Sequence, residues 1–80
     1  MLTNTELYQE LISAKVRIMN RGFNPHHLYL STRTREKLKK YEKADSEGYL
    51  TIGGLYIHEL NTLKTDKFIV CVDEIIGNTL

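Results

Sequence analysis

Near the start of the chain, apolar residues recur at helical spacing. Leu7, Leu11, Ala14 and Ile18 fall on one stripe, and Tyr8, Ile12 and Met19 widen it. Thr3-x-x-Glu6 precedes this run with a capping-box pattern, in which a hydroxyl and a carboxylate each satisfy a backbone amide that the first turn leaves free. Gly22 supplies a left-handed stop, Phe23 is placed to fold back on the last turn, and Asn24-Pro25 keeps the helix from resuming. From His27 to Ser31 the period shortens to two. Leu28 and Leu30 go to one face, and His27, Tyr29 and Ser31 to the other. Thr32 or Ser31 then caps a second helix that is predicted to run to about Lys43, with only Thr34, Leu38 and Tyr41 on its inner side.

The second half of the chain reads as strands. Residues 44–48, Ala-Asp-Ser-Glu-Gly, form a polar connector expected to be the most mobile loop. Tyr49 to Ile52 and Leu55 to Leu60 flank Gly53-Gly54, a linker whose two glycines allow the positive φ values of a tight hairpin. Asn61 to Asp66 is a second polar loop. Lys67 to Val72 is a run of β-branched and aromatic residues that reads as a strand buried on both faces, and Ile75 and Ile76 follow it, suited equally to an intersubunit contact and to docking on their own domain. The order α-β-α-β-β predicts an α+β fold over residues 1–80, two helices packed on a small three- to four-stranded mixed or antiparallel sheet.

Eighty residues suffice for one domain with a thin margin of stability. Apolar burial at ~25 cal/mol per Å² nearly balances ~1.5 kcal/mol of ordering entropy per residue. Oligomerisation is the usual support where disulfides and metals are lacking, so the chain is expected to associate with itself. Cys71, the single cysteine, sits in Phe68-Ile-Val-Cys-Val72 and reads as a small buried hydrophobe. The first residues have neither a basic region nor an apolar core of a signal segment, and no long apolar run is present. The expectation is a soluble protein of the cytoplasm with no membrane partner.

The net charge is +1, but its distribution is uneven. Residues 14–43 hold nine Lys or Arg against Glu36 and Glu42, giving +7; residues 1–13 carry −2 and residues 44–80 carry −4. A basic middle beside an acidic end can bind an anion, an acidic partner protein or the acidic part of another copy, and none of these is forced, since charge runs on short helices are most often solvated faces.

The order of these elements carries a resemblance. The Gly-Phe-Asn-Pro-x-x-Leu-Tyr-Leu-Ser segment, the helix containing Lys37-Leu38, Leu50-Thr-Ile-Gly-Gly-Leu-Tyr-Ile57 and Thr65-Asp-Lys-Phe-Ile-Val-Cys-Val72 together resemble the peripheral domain of tailed-phage major capsid proteins over residues 4–74. The long spine helix, extended loop and axial domain of a capsid subunit are absent from this sequence. The resemblance implies a viral or prophage origin and residence in the host cytoplasm. Phages also encode small non-enzymatic proteins that block host defence, some of them oligomeric sponges for a nucleotide signal.

A candidate site lies at the start of the second helix. A helix N-terminus favours acids, each worth ~0.3–1 kcal/mol, yet Arg33 and Arg35 stand there with Lys37 just beyond. Arginines so placed are mildly unfavourable unless an anion or a partner carboxylate stands between them and the amides; the alternative is that both simply reach solvent from an exposed turn. Ser31, Thr32 and Thr34 add donors, Arg offers a planar fork suited to phosphate, and His27 and Tyr29 are placed to stack on a base or hydrogen-bond to it. The expected ligand-binding set is therefore Ser31, Thr32, Arg33, Arg35, His27 and Tyr29.

Other chemistry is weaker. His26 and His27 are neighbours on an extended segment and point to opposite faces, which suits no shared metal. No nucleophile elbow or Cys-His signature is present, so no catalytic residue and no cofactor is assigned. A near-neutral net charge and the lack of a reading motif disfavour nucleic acid. The expectation is binding without turnover. The competing readings are a phage structural or assembly protein with a capsid-like fold and an inhibitor of a host defence protein.

Overall fold

The computed structural model describes residues 1–73, so Ile75 and Ile76 lie outside the described residues. Within them run α1 (Asn4–Met19), β1 (His27–Leu30), α2 (Thr32–Lys37), a 3-10 turn (Lys39–Tyr41), β2 (Glu42–Ala44), β3 (Leu50–Ile52), β4 (Leu55–Glu59) and β5 (Phe68–Cys71). The protein is α+β. Its mixed sheet has five strands in the order β2-β3-β4-β1-β5, one more than the upper expectation. β1 lies inside the sheet, parallel to β4 and antiparallel to the edge strand β5, while β2-β3 and β3-β4 are antiparallel.

The extra strand comes from what the sequence reads as the end of a longer helix. α2 is only six residues long, and Leu38 leaves helical geometry at φ −102°. Leu38 is then fully buried and Tyr41 packs against the core, so the narrow inner stripe is satisfied within two short turns. Glu42 to Ala44 turn outward as β2, which lets Glu42 accept hydrogen bonds from Arg35 and lie opposite Ile52. The connector after it is an ordered turn among hydrogen bonds. Asp45 Oδ1 accepts from the N–H groups of Glu47 and Tyr49, and Gly48 adopts φ +90°.

The α1 signals operate as the sequence predicts. Thr3 and Glu6 form the reciprocal capping box, and Gly22 takes φ +88°. The Phe23 amide donates back to the Ile18 carbonyl, but its ring remains exposed rather than folded on the helix. Leu7 and Leu11 of α1 meet Leu28, Leu30, Leu38, Ile52 and Leu55 in a single fully buried core. Each such side chain contributes roughly 1.5–3 kcal/mol by leaving water. The Gly53-Gly54 hairpin passes beneath α1: both glycines have positive φ, and the Gly53 carbonyl accepts a hydrogen bond from Lys15 Nζ.

β5 differs from expectation. It is an edge strand rather than one buried on both faces, with Ile69 38% exposed and Cys71 half-buried. An apolar run looks the same in sequence whether one or both faces of its strand are covered. No described helix is long and apolar enough to cross a membrane.

Candidate functional site

The two faces of the sheet have different chemistry. Leu28 and Leu30 of β1 point into the core, so alternation sends His27 and Tyr29 to the opposite face. Register then places Tyr56 and His58 of β4 beside them, because His27 pairs with Tyr56 and Tyr29 with His58. On the other side His27 faces Cys71, and Tyr29 faces Ile69. The rings interact closely. His27 Nδ1 and His58 Nε2 share a hydrogen bond of 2.9 Å, and Tyr29 stacks on His58 with centroids 4.6 Å apart. Tyr56 lies 6.0 Å from His27 and receives Tyr49 edge-on at 6.2 Å.

β3 and β4 pair at only two positions, Thr51 with Tyr56 and Ile52 with Leu55. Where Leu50 and Ile57 would continue the ladder the strands separate. A groove of about 510 Å³ opens there, lined by His27, Arg35, Tyr49, Leu50, Tyr56, Ile57 and His58. The Asp45 turn holds its outer wall. The charge of Asp45 and a hydrogen bond to it raise the Tyr56 phenol above its ordinary value. Desolvation works to raise the Asp45 carboxyl, but the Tyr49 and Glu47 amides and the Tyr56 hydroxyl hold it below the usual range.

A second groove of about 270 Å³ adjoins the first and shares Arg35 and Leu50 with it; Thr32, Glu36, Lys39, Glu42 and Glu59 complete its lining. This is the region sequence reasoning assigns to an anion, and carboxylates of the same chain occupy it. Arg35 Nε and Nη2 donate to Glu42 at 3.0 and 3.2 Å, and Nη1 donates to Glu59 at 2.9 Å. Hydrogen bonding to Glu42 and then to Glu59 raises the guanidinium pKa, against the desolvation that opposes it. Glu59 also accepts from the Thr32 hydroxyl at 2.8 Å, and that bond followed by the Arg35 contact holds its carboxyl below the ordinary range.

The expected set is therefore divided. His27 and Arg35 line the aromatic groove, Thr32 and Arg35 the ionic one, and Tyr29 supports the ring array through His58. Ser31 is buried and serves as the α2 cap, its Oγ accepting from the Thr34 amide. The Thr32 amide donates to Asn61 Oδ1. Arg33 lies away from Arg35, in a separate polar groove that Ser31 and Thr32 also line, together with Asn61, Thr62 and Lys64. Sequence reasoning missed Tyr49, Tyr56 and His58. Tyr56-x-His58 repeats the two-residue spacing of His27-x-Tyr29, a signal that becomes informative once β1 and β4 are known to pair.

His27 and His58 form a two-nitrogen pair, and no group of three or more metal-ligating side chains occurs among the described residues. No protein-family model, curated protein or solved structure matches this chain.

Proposed function

We propose that this protein binds a nucleotide-type ligand without turning it over. The base lies against Tyr56 and Tyr49 in the aromatic groove, and the phosphate enters the ionic groove, where it replaces Glu59 on Thr32 and Arg35. The observation that carries this reading is that Arg35 forms a wall common to both grooves, so one ligand can reach stacking rings and a guanidinium fork together. The aromatic groove has the volume of an ordinary small-molecule site, ~300–1,000 Å³. Phosphate offers more acceptor oxygens than a carboxylate to the same fork, and Lys39 at the rim adds a cation. The sequence resemblance to a phage capsid domain sets this activity in an infected cell, as sequestration of a nucleotide immune signal.

The test is calorimetric titration with nucleoside monophosphates, cyclic dinucleotides and the parent nucleosides. Binding that requires the phosphate and is lost in Tyr56→Ala supports the proposal. Absence of binding by every nucleotide, with the fold intact, removes it. Native mass spectrometry of protein from phage-challenged cells, before and after denaturation, then identifies the ligand.

A further inference from the structure

The strand at the edge of the sheet, Phe68–Cys71, together with Lys67 before it and the bend at Val72 and Asp73 after it, has a sequence that is complementary to itself. Residues 67–73 read Lys-Phe-Ile-Val-Cys-Val-Asp, with opposite charges at the two ends and Val70 at the centre. Among the described residues β5 pairs only with β1, and its other edge is open. An open apolar edge is a template for another strand unless something covers it.

We propose that a second copy of this chain covers it, with β5 pairing antiparallel to the partner's β5 about a two-fold axis at Val70. That register sets Lys67 opposite the partner's Asp73 at both ends of the ladder. Phe68 lies opposite the partner's Val72, and Ile69 opposite the partner's Cys71. Opposite charges and β-branched or aromatic pairs are the favourable cross-strand combinations. Two five-stranded sheets thereby become one continuous sheet of ten strands.

The helix above the edge independently fits the same axis. Glu6, Glu10 and Arg17 line a groove with Phe68, and Arg17 and Arg21 line the next one with Phe68 and Val70. The flank of α1 beside β5 is thus acidic toward its N-terminus and basic toward its C-terminus. A two-fold axis perpendicular to the sheet keeps both α1 helices on one face and runs them antiparallel, so the acidic half of each faces the basic half of the other. Among the described residues Glu10, Arg17 and Arg21 are in no ion pair within the chain. A closed two-fold contact of this kind also ends association at two copies, where an unsymmetric edge would continue into a fibre.

Sedimentation equilibrium of the intact chain at micromolar concentration tests the proposal against the 9.3 kDa monomer mass. The expected species is a dimer. Lys67→Asp sets like charges opposite each other twice and weakens it about tenfold or more. Adding Asp73→Lys to that variant restores wild-type association. Ile69→Cys, oxidised in the presence of Cys71, gives a disulfide-linked dimer, and the same change with Cys71→Ser does not. A wild-type monomer, a dimer whose charge-swapped variant stays weak, or a linked dimer that forms without Cys71 overturns the proposal.

Discussion

The Glu59 carboxylate accepts a 2.9 Å hydrogen bond from Arg35 and stands where an external anion was expected. The physical premise is sound: arginine beside helix amides needs a negative charge nearby. The chain supplies that charge from β4 and β2, which the sequence places 24 and 7 residues away.

Replacing Glu59 with Gln should therefore free one edge of Arg35 and the Thr32 hydroxyl. We expect the fold to persist, because Glu42 still holds Arg35, and we expect phosphate affinity to rise. Chemical-shift titration of the Arg35 side chain with inorganic phosphate measures it. Unchanged or weaker binding in this variant contradicts the exchange of Glu59 for phosphate.

Asp66 gives a pH dependence with a definite sign. The hydrogen bond from Lys37, followed by one from the Leu2 amide, lowers its pKa from the ordinary 3.8 against an opposing desolvation. A carboxyl depressed on folding contributes stability that is fully present above its unfolded value and lost as pH falls through its folded one. Chemical denaturation should show this loss below about pH 4. Asp66→Asn, which tolerates the φ of +68° at this position, should remove that part of the profile.

Thr34 is fully buried, and its Oγ1 accepts from the Asp66 amide at 3.0 Å and is hydrogen-bonded to Ser31 Oγ. Thr34→Val keeps the shape but leaves the Asp66 N–H without its acceptor. The expected loss is about 1–3 kcal/mol in urea unfolding, with no change in slope.

Gly53 has φ +59°, and a Cβ there would come within 2.8 Å of the Ile12 Cδ1 methyl. Gly53→Ala combines left-handed strain with displacement of a flexible side chain, and should cost about 1–2 kcal/mol. Gly48→Ala at φ +90° meets nothing within 4 Å, so comparing the two variants by thermal melting separates crowding from backbone strain.

Desolvation, followed by the Asp73 charge, raises the Cys71 thiol above its ordinary 9.0. Alkylation near neutral pH should be slower than for a free thiol, and Asp73→Asn should restore only the smaller part of the difference.

Local chemistry was the legible part of this fold. The Thr3-Glu6 box, the Gly22 stop, the Ser31 cap and the Gly53-Gly54 turn each depend on groups within a few residues, and each forms as expected. The length of α2 was not legible, because Arg35 and Glu42 suit a helix face as well as a helix-to-strand ion pair. The site was half legible for a related reason. Thr32, Arg35 and His27 line the paired grooves, but their neighbours Tyr56, His58 and Glu59 come from β4, and only the parallel pairing with β1 brings them there.

That parallel pairing also sets the order in which the protein can be made. β1 occupies residues 27–30, yet both of its neighbours in the sheet, β4 and β5, come later in the chain. While the chain is being synthesised, β1 waits without a partner until residues 55–59 have left the ribosome, and its second side stays open until residues 68–71 follow. The sheet around β1 therefore cannot close before β5 has emerged, and the strand that carries the apolar Leu28 and Leu30 stays without its sheet partners until then.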